Sequence, residues 1–398
     1  MARILQIVNR LNLGGITYNA ASITARLRPE HETMLVAGMK DDQEESSEFM
    51  LNNLGLEAVY IPDMRREINL KADFKAYKHL LKIIREFKPD VVHTHAAKAG
   101  ILGRLAARRA GVKVIVHTFH GHVFHSYFGK FKTRFFLEIE RFLARLSHGI
   151  IAISELQKKE LCEIYKVCAC EKIHIVELGY DLYPFQNDVE KKRADFRNKY
   201  YVADDVILVG MIGRLVPIKN ITLFIDCWED LVKVNGSKIK AFIIGDGEQR
   251  FDLQEHCRKL GLKISTPENQ DNDANLVFTS WIHQIDWAMA GIDILALTSL
   301  NEGTPASLIE AQAAGKPIVS SKVGGIANIV IEGETAFLVE AGDKKAFTQT
   351  LQKLIQDADL RAKMKLAGPQ FALNRFHYQR LTEDIRTLYN KLLKHSSK

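Results

Sequence analysis

"GIDILALTSLNEGTPASLIEAQAAGKPIV", residues 291–319, holds two glutamates, Glu302 and Glu310, eight positions apart with a Gly-Thr-Pro turn between them. The run before Glu302 is apolar and bounded by Gly291, which predicts a buried parallel strand. Pro305 suits the first position of a helix and Gly315 its C-terminal stop. Glu302 is therefore expected on a strand-to-helix loop and Glu310 on the helix itself. Free amides at Ala306, Ser307 and Leu308 would open that helix and could face an anion. A bland alternative has both carboxylates simply solvated, and one strand–loop–helix does not separate the two.

The same unit recurs along the chain. Short apolar strands alternate with longer amphipathic helices in both halves, the pattern of parallel α/β layers. The stretch "LYPFQNDVEKKRADFRNKYYVADD" between them is polar, which puts the domain change near residues 180–205. With 398 residues, two domains can each bury a core. A final amphipathic helix, "YQRLTEDIRTLYNKLLKH", follows the second domain. The expected fold class is α/β, two doubly wound Rossmann-like domains facing a central cleft, with functional residues just after strands.

Composition excludes several classes. No apolar run approaches the roughly 18 residues a membrane-spanning helix needs. The N-terminus enters a strand without a signal-peptide pattern, so a cytoplasmic protein is expected. The five cysteines, an odd number, argue against a disulfide framework, and Cys162, Cys168, Cys170 and His174 lack the usual zinc spacing. Reduced, structural thiols are expected there. The net charge of +7 lies wholly in residues 1–180, which hold 27 Lys and Arg against 20 Asp and Glu. Such a basic half attracts phosphorylated substrates or anionic membranes, while the absence of nucleic-acid motifs argues against nucleic acid.

Three more strand ends carry chemistry. "LNLGGITYNAA" places Gly14 and Gly15 before a helix, where backbone can approach a phosphate, although a plain tight turn reads the same way. "GRLVPIKN" flanks a short turn with Arg214 and Lys219, a guanidinium and an ammonium able to neutralise a diphosphate, or else two solvated cations. "HTHAAKAG" and "HTFHGHVFH" bring six histidines and Lys98 to two strand ends. They lack the accompanying carboxylate of a metallohydrolase, so no metal is expected. A lone histidine is more often structural, but His120, directly after "VIVHTF", is the candidate to contact a hydroxyl or an oxyanion in the cleft, with His95, Lys98 and His122 as candidate acceptor contacts. "FHSYFGKFKTRFFLEIERFLARL" interleaves Phe128, Phe131, Phe135 and Phe136 with Lys130, Lys132 and Arg134. It can lie on an anionic membrane surface or face a core.

Together, "GRLVPIKN", "IIGDGEQR", "NEGTPASLIEAQAAGKPIVSSKVGGIANIV" and "FHGHVF" resemble the retaining glycosyltransferases of family 4, with the two-domain GT-B fold, over nearly the whole chain. The resemblance implies a nucleotide-sugar donor, UDP being the commonest base, and no cofactor or metal. By it, Glu302 contacts donor-sugar hydroxyls and Glu310 the ribose. Gly303, Thr304, Ala306, Ser307 and Leu308 line the diphosphate, which Arg214 and Lys219 neutralise. Gly14 and Gly15 approach the phosphates, and His120 lies near the sugar. It further implies an N-terminal acceptor domain, 1–180, joined by helix 378–398, and a donor domain, 181–377, closing about residues near 180–205 and 377. The acceptor is expected to be a saccharide or lipid-linked saccharide in cell-surface polysaccharide synthesis, reached at the inner face of the cytoplasmic membrane. Two departures stand out: "ELGYDLYPF" replaces the usual Asn-Gly-Val/Ile-Asp turn, and the loop 265–275 is long. The rival readings are an epimerase or phosphorylase on the same fold, and a catalytically inactive donor-binding partner subunit. No lysine is identified for the pyridoxal phosphate that a phosphorylase would need.

Overall fold

The computed structural model describes residues 1–12, 14–40, 46–65, 67–121 and 130–396, with only the backbone at 130–132. The chain divides into two compact units, Met1–Tyr180 with Phe376–Lys398, and Asp181–Arg375.

The first unit carries β1 (Arg3–Val8), β2 (Glu32–Gly38), β3 (Ala58–Ile61), β4 (Val91–His95), β5 (Val114–Phe119), β6 (Gly149–Ala152) and β7 (Ile173–Ile175). They form one parallel sheet in the order β3-β2-β1-β4-β5-β6-β7. Strands β4 and β5 are buried along their whole length, as expected where helices cover both faces of a parallel sheet. The helix Tyr378–Ser396 covers one face, setting Leu381, Ile385, Leu388 and Tyr389 against Ile4, Val91, Val116 and Ile151. Both crossings of the chain lie side by side in this unit, where Tyr180 N donates to Phe376 O at 2.8 Å and Tyr378 N to Tyr180 O at 3.0 Å.

The second unit repeats the plan with β8 (Ile207–Ile212), β9 (Ile239–Ile244), β10 (Ile264–Ser265), β11 (Leu276–Ser280), β12 (Ile294–Leu297), β13 (Ile318–Ser321) and β14 (Ala336–Val339). The order is β10-β11-β9-β8-β12-β13-β14, again parallel. Its core gathers Trp228, Phe224, Leu351 and Phe347 from the covering helices against Val209, Ile243 and Phe278 of the sheet. In each sheet the strand order reverses between two neighbours, β1 and β4 in the first, β8 and β12 in the second. Loops diverge at such a point and leave a crevice beyond the strand ends, where ligands of doubly wound sheets bind.

Sequence periodicity misses two strands. β7 and β10 have three and two residues, too few for a pattern to register, and each sits at a sheet edge. One cysteine expectation is corrected. Cys162 and Cys170 form a disulfide, while Cys168, Cys227 and Cys257 are free. The turns at Glu160–Ile164 and Cys170–Lys172 bring the paired Cα atoms to 5.2 Å. An odd cysteine count argues against a framework of bridges but leaves room for a single local pair.

Candidate active site

In the second unit, the loops after β8 and β12 are stitched to each other. Thr298 Oγ1, at the end of β12, donates to the carbonyls of Asn220 at 2.9 Å and Lys219 at 3.2 Å, and Leu300 N donates to Ile218 O at 2.8 Å. Pro217 opens the short turn Pro217–Lys219 after β8 and Asn220 ends it in the left-handed conformation, φ 47°. Lys219 thereby meets Glu302: Nζ lies 2.5 Å from Oε1, with the two side chains 19% and 12% exposed. Ser299 Oγ donates to the same Oε1 at 2.6 Å, leaving Oε2 as the other acceptor. Arg214 is exposed near Lys219, and its side chain takes no hydrogen bond or ion pair among the described residues.

Behind the Glu302 loop stands "KVGGI". Gly325 N donates to Glu302 O at 3.0 Å, and a Cβ on Gly324, whose φ is +52°, would fall 1.9 Å from that same oxygen. Ser299 and this glycine pair were not singled out from sequence as site residues, although the quoted motif contains Gly324 and Gly325. The adjoining helix runs Ala306–Ala313 with Pro305 as its cap residue, and Gly315 ends the turn beyond it at φ +64°. Leu308 N is bonded to Pro305 O at 3.2 Å, whereas the amides of Ala306 and Ser307 have no backbone partner among the described residues. Gly303 and Thr304 form the turn that leads into them. Glu310 lies about one turn along, and burial, with the Asp286 carboxylate nearby, pushes its pKa up to about 7. A carboxylate so placed gains by accepting hydrogen bonds from ligand hydroxyls.

In the first unit the candidate residues lie at the ends of β1, β4 and β5. Gly14 caps the helix Gly15–Leu27, and a Cβ there would meet nothing within 4 Å, so packing inside the protein does not demand glycine. His120 follows β5, and burial lowers its pKa to about 4. Its Nε2 lies 2.9 Å from Nδ1 of the fully buried His95, whose Nε2 lies 2.8 Å from Gln6 Oε1. His95 is thus held through His120 and Gln6 within the unit. Lys98 pairs with Asp73 at 2.7 Å. His122 lies outside the described residues, as does Phe128. Phe135 is 65% exposed and Phe142 51% exposed on the helix Lys130–Leu146. No helix among the described residues is long and apolar enough to cross a membrane.

Comparison with known proteins agrees with the two-sheet fold. The family described as Glycosyltransferase Family 4 matches residues 13–183, and that described as Glycosyl transferases group 1 matches residues 192–371. The chain is 30% identical over 334 residues, 83% of each chain, to the Escherichia coli UDP-Gal:alpha-D-GlcNAc-diphosphoundecaprenol alpha-1,3-galactosyltransferase. It is 27% identical over 345 residues, 85% of this chain and 87% of the other, to the capsular polysaccharide biosynthesis glycosyltransferase CapM of Staphylococcus aureus. Its fold is similar to that of Anabaena HepE in complex with UDP and glucose, with a TM-score of 0.81, 19% identity, and coverage of 98% of this chain and all of the other. Identity and coverage on this scale, with sheets of this order, make the chain a glycosyltransferase of family 4 with the GT-B fold.

Proposed function

We propose that the protein is a retaining, metal-independent hexosyltransferase that moves a sugar from a UDP-sugar to a hydroxyl of a lipid-linked saccharide. The observation that carries this reading is the Lys219–Glu302 pair, held at 2.5 Å by two stitched loops at the switch point of the second sheet. An ammonium and a carboxylate side by side suit a ligand that is anionic at one end and rich in hydroxyls at the other. The names of the Escherichia coli and Anabaena proteins support UDP as the nucleotide, and the first supports a diphosphate lipid as carrier.

In this reading Asp181–Arg375 binds the donor and the first unit, with its C-terminal helix, binds the acceptor. Glu310 accepts hydrogen bonds from the ribose. The Ala306 and Ser307 amides, with Gly303 and Thr304, receive the diphosphate from the helix N-terminus, as do Gly14 and Gly15 from the first unit. Glu302 takes the donor-sugar hydroxyls through Oε2. As the bond from the anomeric carbon to the diphosphate breaks, Arg214 and Lys219 neutralise the charge gathering on the leaving oxygen. The acceptor oxygen bonds to the anomeric carbon on the same face, and its proton passes to the departing diphosphate. His120 stands by the sugar, and His95 and Lys98 shape the acceptor side. The basic first unit and the exposed Phe135 and Phe142 support contact with an anionic membrane from the cytoplasm, which sedimentation with anionic vesicles at low salt tests.

The deciding experiment is a thermal-shift panel of nucleoside diphosphates and their sugars on the wild type and Lys219→Ala. Ligands of the native state raise its melting temperature. The expected result is a rise with uridine nucleotides that Lys219→Ala loses, with turnover lowered about a hundredfold or more. Activity that survives a chelator and a product with the donor's anomeric configuration complete the case. No shift with any nucleotide would sink the donor assignment. Donor binding without transfer to any acceptor would favour an inactive partner subunit instead.

A further inference from the structure

The histidine at the end of β5 is one end of a buried chain that crosses the first unit to its last helix. From His120 Nε2 the chain passes to His95 Nδ1 at 2.9 Å, then from His95 Nε2 to Gln6 Oε1 at 2.8 Å. Gln6 Nε2 donates to Tyr389 Oη at 2.9 Å, Tyr389 Oη lies 2.6 Å from His93 Nδ1, and His93 Nε2 lies 2.6 Å from Thr118 Oγ1. Gln6, His93 and His95 are wholly buried and Tyr389 is 1% exposed, so no water competes for these partners. These links come from β1, β4, β5 and the C-terminal helix, elements far apart in sequence.

The protons along such a chain are countable. Burial lowers His93 to about 3 and His120 to about 4, and holds His95 well below its ordinary value, so at neutral pH each ring carries one proton. The Gln6 carbonyl can only accept, so the proton of His95 sits on Nε2. His95 Nδ1 is then a bare acceptor, and the proton of His120 must sit on Nε2. That leaves Nδ1 of His120 without hydrogen. Turning the Gln6 amide over would reverse every proton in the chain, so the orientation of one buried amide decides the tautomer.

We propose that Gln6, His95 and Tyr389 are positioning residues that fix His120 as the tautomer protonated on Nε2, so that its bare Nδ1 meets the transferred sugar as a hydrogen-bond acceptor. This rests on the reading of His120 as a reaction-centre residue. A hydroxyl facing Nδ1 would then donate to it, whereas the reversed chain would present an N–H there instead. The C-terminal helix, besides covering the sheet, would set the chemistry of a residue more than 250 positions earlier in the sequence.

The test is nitrogen-15 NMR of the imidazole rings in the full-length protein, with His120 assigned from its loss in His120→Asn. The expected spectrum has Nδ1 of His120 unprotonated and Nε2 protonated, as one tautomer. Tyr389→Phe keeps the ring and removes the hydroxyl. It should admit the second tautomer and lower kcat about tenfold, with donor KM within about twofold. A proton on Nδ1 in the wild type would overturn the proposal without any variant. So would Tyr389→Phe that changes neither tautomer nor kcat. If His120→Asn retains wild-type turnover, the reaction-centre reading fails instead, and the spectrum still decides the tautomer.

Discussion

Glu302 and Glu310 are the same residue type on one strand–loop–helix, yet their surroundings give them different work. Glu302 has an ammonium and a hydroxyl on one oxygen, so it is held in one orientation. Glu310 has burial and the Asp286 carboxylate against it, and Asp286 is itself paired with Lys192 at 2.8 Å. A carboxyl whose native pKa stands at about 7 binds more protons folded than unfolded between pH 4.5 and 7. Stability therefore falls as pH rises through that window and stays lower above it. Glu310→Gln removes the charge and should melt higher than wild type at pH 8, with the difference vanishing near pH 4.5. Nucleotide binding should weaken in the same variant. Scanning calorimetry at the two pH values checks the first outcome, and an equal difference at both would refute the buried-charge reading.

At the scale of elements, the site is a property of loops held by their neighbours. The turn after β8 positions Lys219 only because Thr298 and Leu300, from the loop after β12, bind its carbonyls. Gly324 and Gly325 let a third loop, after β13, press against the Glu302 backbone. Two glycine substitutions should behave in opposite ways. Gly324→Ala puts a methyl against the Glu302 carbonyl in a left-handed backbone, and should cost about 1–3 kcal/mol of stability together with activity. Gly14→Ala has extended backbone and open space, so its urea midpoint should match wild type while donor affinity falls. Unchanged affinity in Gly14→Ala would remove the phosphate role proposed for that loop.

At the scale of the whole molecule, the two units share a plan but not an electrostatic character. The first holds His93, His95, His117 and His120 as neutral rings, all shifted down from 6.5 mainly by burial. Below pH 6.5 the unfolded chain takes up protons that these native rings refuse, so this unit loses stability as pH falls. The second unit carries Glu310, with the opposite slope through pH 4.5 to 7. Calorimetry of the full chain should show the first unit's transition dropping from pH 7 to pH 5. A first-unit transition that does not move over that range would mean that the four rings are already protonated in the folded state.

Parallel α/β layering and the positions of Glu302 and Glu310 were legible in the sequence. Strand runs, Pro305 and Gly315 are local signals whose meaning needs no distant partner. That the Arg214–Lys219 motif and the Glu302 motif each follow a strand of the second half was legible too. The short edge strands β7 and β10 were not, because two or three residues carry no periodicity. Nor was the Cys162–Cys170 pair, which depends on how two turns bring their Cα atoms together. Only the tertiary structure decided that Lys219 meets Glu302, that the Gly325 amide supports the Glu302 backbone, and that Tyr389 joins His120 through Gln6 and His95. Those contacts join residues far apart along the chain, and a pairing made across a folded core leaves no spacing in the sequence from which it can be read.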